Sequence, residues 1–219
     1  GTTKNNWSCY MVNNGIYEIE TRFTFQDENE AFKTLPFIKN SFTRKITWQT
    51  YHYGIELFKK DIILRITKGQ MEQREKIYLG YKNSDCSTSK LNIRKEYEED
   101  ITNGVDNSCI MQKIKGNLQH TDLNSIEKEL AKLNHKLFMF FFGKSTLGFY
   151  EKLNFKLKLM TCDCLEYPFM LEIERETERE QDIKKHEKDI LNFVEKYNLG
   201  NRLVSKEPPT LLFESLGKV

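Results

Sequence analysis

Apolar and polar residues alternate through much of this chain, and a two-residue period predicts β-strands. Over about 16 to 25, Tyr17, Ile19, Thr21 and Phe23 fall on one strand face and Glu18, Glu20 and Arg22 on the other. Further strands are expected at about 43 to 53, 60 to 68, 75 to 82 and 90 to 99. Gly54, Lys68-Gly69 and Asn83-Ser84-Asp85 separate them as turns. A second group follows at about 136 to 143, 146 to 151, 154 to 162 and 168 to 177. Helical periods appear between and after these groups. Ile126, Leu130 and Leu133 share one face of a helix over about 125 to 134. Ile183, Ile190, Leu191, Val194 and Tyr197 form the stripe of a longer one over about 180 to 197. Asp27 is placed to cap a short helix that Pro36 ends or kinks, and a last helix is expected at about 209 to 217. Residues 100 to 121 read as irregular. The order is that of an α+β chain in two pseudo-repeated halves, taken together as a single domain over 1–219.

Several strands carry charge on one face. Glu172, Glu174 and Glu176 repeat the pattern of Glu18 and Glu20, and Arg94, Glu96 and Glu98 share a third strand face. Arg65 stands in the otherwise apolar run Ile62-Ile63-Leu64-Arg65-Ile66, and Lys82 ends the strand that follows. Carboxylates this close repel unless solvent or a cation compensates them. A sheet facing water on one side explains one such strand. Their recurrence favours a closed antiparallel barrel with a polar interior and an apolar exterior covered by helices. Clustered carboxylates suit Mg²⁺ or Mn²⁺, and arginines and lysines suit phosphate oxygens. Gly143-Lys144-Ser145 lacks the earlier glycine of a phosphate-binding loop.

Composition narrows the picture. The 219 residues are 38% hydrophobic and 30% charged, as in a globular protein with a core. The formal net charge of +2 argues against a general nucleic-acid coat, though not against bases segregated locally. No apolar run reaches the length of a membrane span, so no membrane association is expected. Five cysteines without a C-x-x-C pair read as free thiols of a reducing, cytoplasmic compartment. Cys162-Asp163-Cys164 reads as strand cysteines beside a turn.

These motifs, in this order, resemble the CYTH family of triphosphate tunnel metalloenzymes. Glu18-Ile19-Glu20-Thr21-Arg22 resembles the family's opening E-x-E-x-K strand, with arginine for lysine. Tyr51-His52-Tyr53 followed by Leu64-Arg65-Ile66 is similar to its tyrosine-rich and L-R-x-R strands, with Thr67 at the second basic position. Arg94-Lys95-Glu96-Tyr97-Glu98 is similar to its R-x-E-x-E strand, and Asp163 ahead of Glu172-Ile173-Glu174 to its closing acidic set. The resemblance implies a tunnel of eight antiparallel strands with flanking helices. Inside it, Glu18, Glu20, Glu172 and Glu174, helped by Glu96 and Asp163, would hold Mg²⁺ or Mn²⁺. Arg22, Lys45, Arg65, Lys82, Arg94 and Lys144 would bind phosphates. Glu18, Glu20 and Glu174 would carry the chemistry by orienting a water. The implied activity is hydrolysis of a triphosphate: inorganic tripolyphosphate, thiamine triphosphate, a nucleotide or an RNA 5′ end. A class IV adenylyl cyclase and a binding module without turnover are the alternatives. No side chain stands out as a covalent nucleophile, and His52 reads as structural or substrate-lining.

Overall fold

The computed structural model describes residues 14–84 and 91–217. Its strands, in chain order, are β1 (Ile16–Thr24), β2 (Phe42–Tyr53), β3 (Ile62–Met71), β4 (Arg74–Asn83), β5 (Asn92–Asp100), β6 (Val105–Asp106), β7 (His120–Thr121), β8 (Leu137–Tyr150), β9 (Phe155–Thr161), β10 (Phe169–Thr177) and β11 (Leu203–Val204). The helices are α1 (Glu28–Thr34), α2 (Ile55–Phe58), α3 (Cys109–Lys113), α4 (Leu123–Lys132), α5 (Ile183–Lys196) and α6 (Pro208–Leu216). Eight strands pair in the order β10-β9-β8-β2-β3-β4-β5-β1, and β1 pairs again with β10 to close a barrel. The closing ladder runs antiparallel from Tyr17 opposite Thr177 to Thr24 opposite Met170. β11 adds to the end of β1.

Period-2 patterning explains the barrel, because each strand sends one set of side chains outward under helices and the other into the lumen. On one side α5 lays Ile190, Phe193 and Val194 over Ile19, Phe23, Leu157 and Ile173. On the opposite side α3 and α4 bring Ile110, Ile126 and Leu130 against Leu64, Ile66 and Leu79. α6 packs Leu211 and Leu212 with Met139, Met160 and Met170. Each fully buried aliphatic side chain in these layers contributes roughly 2 kcal/mol of transfer free energy.

Two expectations differ from the structure. β8 is one continuous strand through Gly143-Lys144-Ser145, where two strands were expected. A Cβ on Gly143 would come within 2.5 Å of the Trp48 ring and 2.6 Å of the Thr161 carbonyl oxygen, so the glycine answers to packing and not to a turn. The segment 100 to 121 is also more ordered than its polarity suggests. It contains α3 and the β6–β7 hairpin, and Glu99 holds the start of α3 by accepting from the Ser108 hydroxyl and the Cys109 backbone N–H. Among the described residues no helix is long and apolar enough to cross a membrane. Of the cysteines, Cys109, Cys162 and Cys164 are free thiols; Cys9 and Cys86 lie outside the described residues.

Candidate functional site

The barrel lumen is a cavity of about 380 Å³ whose wall is built from paired strands of charge. Across the β1–β10 seam, Glu18 lies opposite Glu176, Glu20 opposite Glu174 and Arg22 opposite Glu172. The next pair of strands sets Lys156 opposite Glu174 and Lys158 opposite Glu172. On the other flank Lys82 of β4 faces Glu96 of β5, and Gly80 faces Glu98. The two glutamates and the arginine of β1 are buried, each at most 5% exposed, because the lumen covers one strand face as fully as α5 covers the other.

Ion pairs knit this wall. Arg22 Nη2 donates to Glu20 Oε1 at 2.6 Å, and its Nε lies 2.8 Å from Glu172 Oε2. Arg22 Nη1 is buried with no hydrogen-bond partner, a donor left for something in the lumen. Lys158 reaches Glu172 at 2.8 Å, and Lys156 pairs with Glu176 and lies 3.8 Å from Glu174. Lys82 binds Glu18 and lies 3.2 Å from Glu96, which Arg65 also approaches at 3.4 Å.

Burial and crowding split the carboxylates. Burial, then Glu96, pushes Glu18 up to about 8, against the pull of Lys82. Burial pushes Glu20 up to about 7, with Arg22 opposing. Glu174 is held well above the usual carboxylate range by burial and by Glu18. Glu172 goes the other way: although buried, it is held far down by Lys158 and Arg22. Glu18, Glu174 and Glu176 present oxygens within 4.8 Å of one another, and so do Glu20, Glu172 and Glu174. These donors are all carboxylate oxygens, and burial and like charge outweigh Lys82, Arg22 and Lys156 at the raised Glu18, Glu20 and Glu174. A hard divalent cation such as Mg²⁺ or Mn²⁺ fits that set.

The lumen thus gathers Glu18, Glu20, Arg22, Arg65, Lys82, Glu96, Glu172 and Glu174 of the residues singled out above. Four others are placed elsewhere. Lys45 is exposed on the outer face of β2, where strand parity sends Arg44 inward instead. Lys144 is exposed on the outer face of β8, one residue out of phase with the lumen residues Phe141 and Ser145. Asp163 is exposed in the turn after β9, outside the lumen. Arg94 points toward the end of the lumen but is taken up by Glu207, 2.6 Å from its Nε, and by Asp61 at 2.8 Å. Conversely, Lys156, Lys158, Glu98, Glu176 and Glu207 line the lumen without having been chosen. The alternation Phe155-Lys156-Leu157-Lys158-Leu159 carries the signal for the two lysines, in the form any half-exposed strand would also show. Glu207 precedes α6, and with Pro208 and Pro209 it closes one end of the barrel. Gly69, on the wall away from that plug, faces open space. His52 is fully buried, with its ring stacked on Phe141 at 5.5 Å and its Nδ1 unpartnered.

No protein-family model and no curated protein matches the sequence. Solved structures do match the fold. The PH1819 protein of Pyrococcus horikoshii superposes with a TM-score of 0.67 at 16% identity, over 90% of this chain and 99% of that one. A Vibrio parahaemolyticus protein described as a "putative adenylate cyclase" gives 0.64 at 11% identity, over 90% and 98%. HpAC1 from Hippeastrum, whose structure is described as revealing a dominant triphosphatase activity, gives 0.57 at 12% identity, over 90% and 96%. The chain therefore has the closed tunnel fold of these proteins, which is the fold its resemblance to the CYTH family implies.

Proposed function

We propose that this protein is a divalent-metal-dependent hydrolase of a triphosphate bound inside the barrel. The observation that carries this reading is the lumen wall itself, where two overlapping carboxylate triads stand beside Arg22, Lys82, Lys156 and Lys158. The cavity lies within the size range of small-ligand pockets. Glu18, Glu20, Glu172, Glu174 and Glu176 would hold Mg²⁺ or Mn²⁺, which when bound supplies positive charge to phosphate oxygens and lowers the pKa of a water. Arg22 exchanges its hold on Glu20 for a phosphate oxygen, presenting its unpartnered Nη1 as well. Lys156, Lys158 and Lys82 grip the remaining oxygens and offset charge that develops at phosphorus. Glu18, Glu20 and Glu174 would orient the attacking water. The substrates that fit this chemistry are inorganic tripolyphosphate, thiamine triphosphate, nucleoside triphosphates and an RNA 5′-triphosphate.

The test is phosphate release from tripolyphosphate, ATP and thiamine triphosphate with Mg²⁺ or Mn²⁺. Turnover is expected to vanish in EDTA and to fall at least about a hundredfold in Glu174→Gln. Metal-dependent binding without turnover would overturn the hydrolase in favour of a binding module. The shared fold with the Vibrio protein supports a second reading, an adenylyl cyclase. Cyclic AMP and pyrophosphate appearing in the ATP reaction would select it.

A further inference from the structure

The helices leave one side of the barrel bare, and its composition differs from that of an ordinary wet sheet face. Phe140 and Phe142 on the outer side of β8 are 44% and 65% exposed. In register, Tyr51 of β2 lies opposite Phe140, Gln49 opposite Phe142 and Thr47 opposite Lys144. Tyr51 stacks on Phe140 with centroids 4.8 Å apart, and Phe142 follows at 6.1 Å, so three rings run along the surface. Lys68 of β3 lies over the Tyr51 ring at 5.2 Å. Lys45 and Lys144 extend the row, and among the described residues neither makes an ion pair. The outward positions from Lys45 to Tyr51 and from Phe140 to Lys144 include no acid. Glu75, opposite Gln70, Asp163, past the end of β9, and Glu127, which accepts from the Tyr53 hydroxyl two residues beyond Tyr51, stand at the margins.

We propose that this β2–β8 face binds single-stranded nucleic acid, with bases stacked on Phe142, Phe140 and Tyr51 and phosphates held by Lys45, Lys68 and Lys144. Flat aromatic groups on a sheet accept any base face, and flanking lysines track a phosphate backbone. Charge argues against the other occupants. A second copy of the chain packed about a two-fold axis through the rings would set these lysines against one another, with carboxylates only at the margins. A membrane surface would be met by Gln49 opposite Phe142 and Thr47 opposite Lys144, where insertion calls for a continuous apolar face. The proposal does not depend on the lumen's chemistry. It also gives Lys45 and Lys144 a role on the outside of the barrel.

The test is fluorescence anisotropy with a labelled oligouridylate of about twelve nucleotides bearing a 5′-hydroxyl, in EDTA, so that neither metal nor a terminal triphosphate engages the lumen. Binding is expected to weaken with salt at a log–log slope of about −2, as for three phosphate contacts on a single strand. Phe142→Ala is expected to weaken it about tenfold. The double variant Lys45→Glu/Lys144→Glu is expected to abolish it, while Lys188→Glu on α5 leaves it unchanged. Melting temperatures equal to the parent's show that these surface variants fold. Four results would overturn the proposal. The first is no binding at about 50 mM salt. The second is equal loss in Lys188→Glu, which means diffuse charge. The third is undiminished binding in Lys45→Glu/Lys144→Glu, which means the oligonucleotide lies elsewhere. The fourth is a Phe142-dependent dimer, or retention on anionic vesicles, with no oligonucleotide bound.

Discussion

Glu174 belongs to both carboxylate triads, so it bears the most like charge in the lumen. Glu18, Glu20 and Glu174 all bind a proton more tightly in the folded protein than a free carboxylate does. For Glu18 the window runs from 4.5 to about 8. Within it the folded state holds more protons than the unfolded one, so the stability of the metal-free protein falls as pH rises. Glu172, Glu176 and Glu207 have lowered values, and what they contribute is complete above the ordinary carboxylate range. They do not reverse this slope. Glu174→Gln is therefore expected to raise the melting temperature of the metal-free protein at about pH 9, and to blunt the further rise that Mn²⁺ gives the parent. Differential scanning fluorimetry with and without Mn²⁺ reads both effects. His52 opposes that slope and joins Glu172, Glu176 and Glu207 in setting the acid limb below 4.5. Burial, assisted by Arg65, pushes its pKa from 6.5 down to about 3. The unfolded chain takes up that proton first, so this group's contribution falls as pH drops from 6.5 toward 3, by on the order of 4 kcal/mol; down to 4.5 the three raised glutamates outweigh it, and net stability falls only below that. His52→Phe keeps the stack on Phe141 and removes the titration. It is expected to flatten the acid side of the melting curve, and a limb as steep as the parent's would show that another group causes it.

At the level of the element, β8 shows why parity matters more than hydrophobicity. Trp48 donates from Nε1 to Ser145 Oγ at 2.8 Å and lies across Gly143. Gly143→Ala forces that ring or the Thr161 carbonyl to move. It is expected to cost about 1–3 kcal/mol in chemical denaturation, with a change in Trp48 fluorescence. The barrel is legible in sequence because β1 alternates between an apolar and a charged face, and β5 and β10 repeat the pattern with interruptions at Lys95, Glu99 and Arg175. The seam of glutamates is legible for the same reason. Other residues are harder to read for physical causes. In Leu137 to Phe142 both faces are apolar, one because it lines the lumen and one because it forms the aromatic row outside. The phase of Lys144 therefore cannot be read from its neighbours. Arg44 and Lys45 are adjacent cations, and a one-residue slip exchanges the lumen for the surface. Lys156 and Lys158 alternate with Phe155, Leu157 and Leu159 as solvent-facing lysines would. Glu207 reaches the lumen from a segment with no strand period at all.

For the molecule as a whole, the lumen lining holds eight carboxylates and five cations. A polyphosphate entering that excess of negative charge would be repelled unless protons or divalent cations made up the difference. Tripolyphosphate is therefore expected to raise the melting temperature in Mg²⁺ or Mn²⁺ and not in EDTA. Equal stabilisation in EDTA would mean that anions are held without the carboxylate sites, as on a simple basic patch. The plug formed by Glu207, Pro208 and Pro209, with Glu207 tied to Arg94, has a further consequence. A bore stopped at one end has a single doorway, and traffic in it is last in, first out. A substrate that enters by its terminal phosphate leaves its organic portion near the doorway, where the inner wall does not read it. On the triphosphatase reading proposed above, the fragment nearer the doorway would depart before the deeper orthophosphate could. The stopper would then impose an order of exit on the products, with the shorter fragment the last to leave.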